Sequence, residues 1–175
     1  MASEILRLIS SDGKEFQVQK RDLEKANLLK TIVADLGFDE DTLPEEAIPL
    51  SSVTGDALET IITWLRMHEN EEPRSEDDRM IHRFNWNIAQ EDIELLDKNM
   101  PYPKLAGVIK AAYFLEMPDL IDTLVKYTAS NLEGKTAKEM SEWLCMPLRK
   151  DVQEYAIEDN EGAVTGDRDR TDGDN

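Results

Sequence analysis

The chain has 175 residues, with 38 Asp and Glu against 20 Lys and Arg, so its formal net charge is −18 when both histidines are neutral. This charge argues against a nucleic-acid-binding protein, because a surface that follows phosphates needs net positive charge. No segment approaches the ~18 consecutive apolar residues of a membrane span, whereas an apolar content of 40% is enough for one domain with a core and tails.

Two β-prone apolar runs surround a tight-turn sequence near the N-terminus. Residues 4–18 place Asp12 and Gly13 between these runs, and Asp-Gly tolerates the positive φ angles of a hairpin turn, so a β-hairpin is predicted. Residues 21–36 then predict an amphipathic helix that Gly37 ends. Its apolar stripe consists of Leu29, Ile32, Val33 and Leu36.

The middle of the chain alternates short elements with charged sequence. Residues 47–53 predict an edge strand or an extended segment, because Pro49 cannot donate a hydrogen bond to a neighbouring strand. Thr54 is expected to cap a second amphipathic helix that reaches about residue 68. Residues 69–79 have no apolar periodicity and predict an exposed loop, and residues 89–98 predict a weaker helix.

The strongest apolar periodicity lies in the second half of the chain. Residues 103–115 and 118–132 predict two helices joined at Pro118, which form a helical hairpin, with Gly134 as the cap of the second. Thr136 and Glu139 have the spacing of a capping box, so a further short helix is expected after them.

Apolar residues recur after this capping box. Short helices cannot bury two faces by themselves, so these residues either complete the core or form a groove for an apolar helical partner. The set consists of Met140, Trp143, Leu144, Met146, Leu148, Val152 and Tyr155. A last short helix is predicted at 149–156 and a disordered acidic tail at 158–175.

The residues that could carry catalysis do not form a catalytic pattern. His68 and His82 have no His or Cys at metal-ligand spacing, so both are expected to be solvated surface residues. Cys145 has no nearby His, which favours a small packing residue over a nucleophile. Gly134, Lys135 and Thr136 lack the other features of a phosphate-binding loop. We therefore expect no catalytic residue, no metal and no cofactor.

A series of short motifs in a fixed order resembles the Skp family, the adaptor subunits of Skp–cullin–F-box (SCF) ubiquitin ligases. The motifs are S-S-D-G-K-E-F-x-V, D-L-G, I-P-L-S-S-V, T-W-L-R-M-H, A-A-Y-F-L, D-L-I-D and N-L-x-G-K-T-A-K-E-M, and they cover residues 4 to about 147. The resemblance implies an α+β fold, a BTB/POZ-like domain (a small sheet with helices) followed by C-terminal F-box-binding helices. The implied division is 1–68 and 86–133 for the BTB/POZ-like domain, 69–85 for an acidic flexible loop, 134–157 for the F-box-binding extension and 158–175 for the tail.

The resemblance also implies two partners, a cullin and an F-box protein, and a non-catalytic bridging role. Tyr113 and Phe114 occupy the Asn-Tyr positions of the family's A-A-N-Y-L block, which faces the cullin. Gly134, Lys135 and Thr136 match the family's G-K-T on the F-box side. The residues expected to face the F-box are Lys135, Thr136, Met140, Trp143, Leu144, Met146, Leu148, Val152 and Tyr155.

Two departures from the family pattern indicate a divergent paralogue. The Asn-Tyr pair is replaced by Tyr113 and Phe114, and the chain after Tyr155 lacks the family's aromatic and cysteine end. The alternative hypothesis is a structural or self-assembling BTB-like protein that has lost ligase function and forms a homodimer in the absence of an F-box partner. One cysteine, and no apolar signal peptide in the first residues, favour a cytoplasmic and nuclear location.

Overall fold

Three strands and seven α-helices lie within residues 4–38 and 42–148, the ranges that this computed structural model describes. In chain order they are β1 (Ile5–Ser10), β2 (Glu15–Gln19), α1 (Asn27–Asp35), β3 (Ile48–Leu50), α2 (Gly55–Met67), α3 (Glu76–Arg83), α4 (Gln90–Asp97), α5 (Tyr102–Phe114), α6 (Pro118–Leu132) and α7 (Ala137–Trp143). The predictions for residues 149–156 and 158–175 lie outside the described residues, as do Val152 and Tyr155.

The predicted hairpin is confirmed. β1 and β2 pair antiparallel, with Leu6 opposite Val18, and Gly13 in the turn has a φ of +78°. Leu6 and Leu8 are fully buried while Ile5 and Arg7 are exposed, because alternate side chains of a strand point to opposite faces. The hydrophobic pattern therefore fixes which face of the hairpin meets the core.

The predicted edge strand is also confirmed. β3 pairs parallel with β1, so the strand order is β2-β1-β3 and β3 lies at an edge. Ile48 and Leu50 are buried, and Pro49 between them is exposed. The missing N–H of Pro49 is tolerated at a sheet edge because no further strand needs that donor.

The helix predicted at residues 21–36 is divided in two. Lys20–Lys25 forms a 3-10 helix, and α1 starts only after Ala26, whose φ of −129° and ψ of 84° are not helical. Gly37 ends the helix with a φ of +84°, as predicted. Leu36 was expected in the core but is 56% exposed, because it follows the last turn of α1.

The start of α2 is where the sequence predicted it. The Thr54 hydroxyl accepts the N–H of Ala57 at 3.4 Å, which confirms the cap. The hairpin turn also packs against this helix start, since the Gly55 N–H donates to Asp12 Oδ1 at 2.6 Å. A Cβ atom on Gly55 would lie 2.5 Å from Lys14 Cδ and 2.9 Å from Asp12 Oδ2, so both side chains would have to shift to admit one.

The loop predicted at residues 69–79 is wrong from Glu76 onward, where α3 begins. The Ser75 hydroxyl accepts the Asp78 N–H at 3.1 Å, and the Asp78 carboxylate accepts the Ser75 N–H at 3.4 Å. This capping box satisfies two helix-start amides, and the acidic residues of the first turn lie at the positive end of the helix dipole. No residue of α3 is buried, so the predicted exposure is correct.

The core contains side chains of β1, α2, α5 and α6. The helix α2 packs on α5, and α5 packs on α6, which confirms the predicted helical hairpin. Buried Leu58, Ile61, Leu105, Leu120 and Leu124 are among the members of this core. Removing such a side chain from water contributes about 1.5–3 kcal/mol to folding.

The chain divides into two units, Met1–Glu133 and Gly134–Asn175. The first contains β1 to α6, and the second contains α7. Gly134 opens the second unit with a φ of +72°, a conformation that favours glycine.

Candidate protein-interaction site

An exposed aromatic pair lies at the C-terminal end of α5. Tyr113 is 56% exposed and Phe114 is 40% exposed, whereas Ala112 before them and Leu115 after them are buried. Large exposed apolar side chains on a well-packed helix are typical of interaction surfaces. The structure thus presents to solvent the two residues that the resemblance assigns to the cullin side.

The aromatic pair is fixed in position by the segment that follows it. The N–H groups of Asn27 and Leu28 donate to the carbonyls of Glu116 and Leu115, each at 3.1 Å. These bonds satisfy the amides at the start of α1, which has no side-chain cap. Met117 is fully buried just beyond, so the end of α5 is held by both hydrogen bonds and packing.

An apolar groove beside β3 is a surface that the sequence did not predict. It is lined mainly by side chains of α1, of β3 and of the chain before β3: Ile32, Leu36, Phe38, Leu43, Pro44 and Ile48. The sequence signal that could have indicated it is Leu36 itself, since a helix that ends at Gly37 has no further turn to cover that residue. The resemblance assigns no partner to this groove.

In the second unit, α7 begins with the predicted capping box. The Thr136 N–H donates to Glu139 Oε2 at 2.8 Å, and the Glu139 N–H donates to the Thr136 hydroxyl at 3.3 Å. The backbone hydrogen bond from Thr136 holds the pKa of Glu139 below its usual value, with help from the Thr136 hydroxyl. Thr136 therefore has a local structural role, and Lys135 beside it is half-buried.

No residue of α7 is buried, although its seven residues include Met140 and Trp143. Met140, Trp143, Leu144 and Leu148 are half-buried, and Met146 is 58% exposed. A helix of seven residues with this exposure presents apolar area that a partner can cover.

Cys145 corrects another expectation. It was predicted to pack on an apolar face, but it is exposed and has a φ of 52°. The physical reason is that α7 ends just before Cys145. In the turn that follows, the Cys145 N–H donates to the carbonyl of Glu142 at 3.2 Å.

Neither histidine is the fully solvated surface residue that the sequence predicted. His68 is 9% exposed, with Nε2 2.8 Å from Asp92 Oδ1 and Nδ1 2.9 Å from Glu71 Oε2. His82 is half-buried and accepts a hydrogen bond from the Lys126 ammonium group. Asp92 and Lys126 lie 24 and 44 residues away along the chain, so local sequence patterns could not show these contacts.

The described ranges contain no group of three His, Cys, Asp or Glu side chains that could hold a metal ion. None of the helices within those same ranges has the length and apolar content that crossing a membrane requires.

Comparison with known proteins decides the family. The model described as "Skp1 family, tetramerisation domain" matches residues 4–70. A protein of Emericella nidulans named "E3 ubiquitin ligase complex SCF subunit sconC" is 30% identical over 140 residues, which are 80% of this chain and 83% of that protein. The chain belongs to the Skp1 family.

Other Skp1-type relatives align over a similar or greater length. A Caenorhabditis elegans "Skp1-related protein" is 29% identical over 136 residues, which are 77% of this chain and 76% of the relative. The "Suppressor of kinetochore protein 1" of Schizosaccharomyces pombe is 26% identical over 160 residues, 90% of this chain and 96% of that protein.

Skp1 family membership confirms the resemblance and the predicted α+β, BTB/POZ-like fold with C-terminal helices. The family model ends at residue 70, before α5 and α7. The roles toward partners therefore stay predictions for Tyr113, Phe114 and the residues of the second unit. In the structure, those of them that are described are exposed or half-buried.

Proposed function

We propose that this Skp1-family chain is a non-catalytic adaptor of an SCF ubiquitin ligase, which bridges a cullin to an F-box substrate receptor in ubiquitin-dependent protein degradation. The observation that carries the proposal is the family membership, with a relative named as an SCF subunit aligned over 80% of the chain. An adaptor acts by contact alone, so its function rests on two separate binding surfaces.

The cullin surface is assigned to the end of α5. Tyr113 and Phe114 offer aromatic area that loses little conformational entropy on binding, because each has only two side-chain torsions. Phe114 has no hydroxyl, so this chain binds its cullin through apolar packing where the family pattern has a phenol. The backbone bonds of Leu115 and Glu116 keep the pair in place before the cullin arrives.

The F-box surface is assigned to α7 and the residues after it. Trp143 and Leu144 are expected to contribute most to F-box binding, because both are half-buried and lie next to each other at the helix end. Trp is enriched among interface residues whose truncation costs most of the binding energy. Lys135 and Thr136 act at the start of the same helix, where Thr136 fixes its first turn.

The test compares two variants, each of which is the control for the other. We expect Trp143→Ala to weaken binding to an immobilised F-box peptide by about 2 kcal/mol, and Tyr113→Ala to weaken binding to a cullin N-terminal domain by a similar amount. Each variant is expected to keep its other partner. Loss of neither partner, or of both in each variant, would contradict the assignment of two surfaces.

The location of the adaptor is a separate prediction. Because the chain has a single cysteine, which suits a reducing compartment, we expect it in the cytoplasm and nucleus. Microscopy of a tagged full-length chain tests this, and retention in a secretory compartment would contradict it.

A further inference from the structure

Helix α3 and the three residues after it have their large apolar side chains directed to solvent. Four of the ten large apolar side chains that are exposed in the described residues lie within seven residues of each other. They are Met80 at 60%, Ile81 at 71%, Phe84 at 84% and Trp86 at 64% exposure. We call these four side chains the α3 apolar surface. Surface helices usually bury their apolar stripe and expose their charged side, so this helix is reversed.

The charged side of α3 is what holds the helix on α6. Arg79 donates to the carbonyl of Arg74 at 3.0 Å and lies 4.0 Å from Asp119 of α6. His82 lies 3.4 Å from Asp122 and is hydrogen-bonded to Lys126, both of α6. Folding therefore uses the polar residues of α3 and leaves the α3 apolar surface without a role in the core.

From this geometry we propose that the α3 apolar surface is a docking site for a basic amphipathic segment of a partner protein, distinct from the surfaces assigned to cullin and F-box. An apolar face could also be covered by a second copy of the chain or by a membrane. A formal charge of −18 on each copy disfavours self-association and disfavours contact with anionic lipid. The same charge steers a basic segment toward the chain.

The charges on α3 itself favour a particular arrangement in that segment. Glu76 and Asp77 are exposed in the first turn, three to four residues before Met80 and Ile81, so carboxylates border the apolar side chains on the same side of the helix. Arg83, also exposed, lies at the opposite end. A partner helix with leucine-like side chains and Lys or Arg at one end would match both the apolar side chains and the carboxylates.

The experiment measures binding of a fluorescein-labelled amphipathic peptide of leucine and lysine to the full-length chain by anisotropy. We expect Ile81→Ser and Phe84→Ser each to raise the dissociation constant about ten-fold, which is typical of removing an interface anchor. Ile81 lies in a helix without buried residues, Phe84 directly follows that helix, and both are exposed, so both variants are expected to keep the thermal unfolding temperature of the parent chain.

Three controls separate docking at α3 from general attraction to an acidic protein. Leu36→Ser removes a comparable side chain, 56% exposed, from a different surface and should leave the affinity unchanged. Asp77→Asn should weaken binding and reduce its dependence on salt. A leucine and glutamate peptide should not bind. Trp86 gives a second readout, since docking should shield its indole from acrylamide quenching.

Several outcomes would overturn the proposal. Equal affinities of the Ile81→Ser, Phe84→Ser and parent chains would show that the peptide binds by charge alone. A dimer in sedimentation that Ile81→Ser dissociates would assign the surface to a second copy. Binding to phosphatidylserine vesicles that Phe84→Ser abolishes would assign it to a membrane.

Discussion

His68 joins three parts of the first unit through its ring and backbone. Its ring lies beside Trp64 with centroids 4.6 Å apart, Nε2 is 2.8 Å from Asp92, and its carbonyl accepts a hydrogen bond from Lys25. The hydrogen bond with Asp92 raises the pKa of His68, and Glu71 adds to this, although burial opposes it. The sequence shows only a histidine before an acidic run, which is why it predicted a solvated residue.

The raised pKa of His68 makes stability depend on pH. A histidine whose pKa is higher in the folded chain stabilises it fully below the unfolded value of 6.5, and this contribution is lost as the pH rises through the folded pKa. We expect the free energy of unfolding in urea to fall over the interval above pH 6.5 in which the folded chain loses this proton. His68→Gln should remove most of that fall, and a parent chain whose stability is flat across this interval would contradict the ion pair.

Two glycines provide a matched pair of substitutions with opposite expected signs. Gly37→Ala forces an alanine into the left-handed conformation, with a φ of +84°, that ends α1, so we expect a loss of about 1–2 kcal/mol. Gly107 in α5 has no neighbouring atom within 4 Å of an added Cβ, so Gly107→Ala should gain about 0.5–1 kcal/mol from helix propensity. Urea unfolding of both variants checks the prediction, and equal signs would contradict it.

At the scale of elements, the sequence predicts structures that depend on local signals and does not predict those that depend on long-range contacts. The hairpin, α2 and the α5–α6 pair were predicted because Asp-Gly, Thr54 and Pro118 act on adjacent residues. The break at Ala26 was not, since α1 starts with hydrogen bonds to carbonyls almost ninety residues away. The capping box of α3 was visible in the sequence, but the charge contacts that hold this helix on α6 were not.

Asp122 is the centre of those charge contacts. It lies 2.9 Å from Lys126, 3.4 Å from His82 and 3.5 Å from Arg74. Because Lys126 is 5% exposed and would be left without this carboxylate, we expect Asp122→Asn to cost about 1–3 kcal/mol. Amide hydrogen exchange should increase in α3 before it increases in α2.

A surface ion pair in the same unit is the control for this prediction. Asp56→Asn removes the 3.1 Å contact between Asp56 and Lys14, whose side chains are 70% and 52% exposed respectively. Because both are exposed, the substitution should cost no more than about 1 kcal/mol. Equal losses for Asp122→Asn and Asp56→Asn would contradict a special role of the α3–α6 contacts.

At the scale of the whole molecule, periodicity alone does not separate an interaction surface from the core, and only the resemblance assigns residues to partners. The apolar residues after Thr136 left two interpretations open, and the exposed Cys145 and half-buried Trp143 show that the end of α7 is not a closed core. The aromatic pair at the end of α5 is apolar by composition and would be assigned to the core from its pattern alone. Its exposure is a matter of tertiary packing, because Ala112 and Leu115 on either side of the pair are the residues that face the core.

The central claim is that one chain holds a cullin and an F-box protein at the same time. Sedimentation velocity of the full-length chain with an F-box protein and a cullin N-terminal domain tests it directly. The account predicts a single species that contains one copy of each, and no such species when the chain is left out. A chain that sediments as a homodimer and joins neither partner would contradict the adaptor function and support the self-assembling alternative.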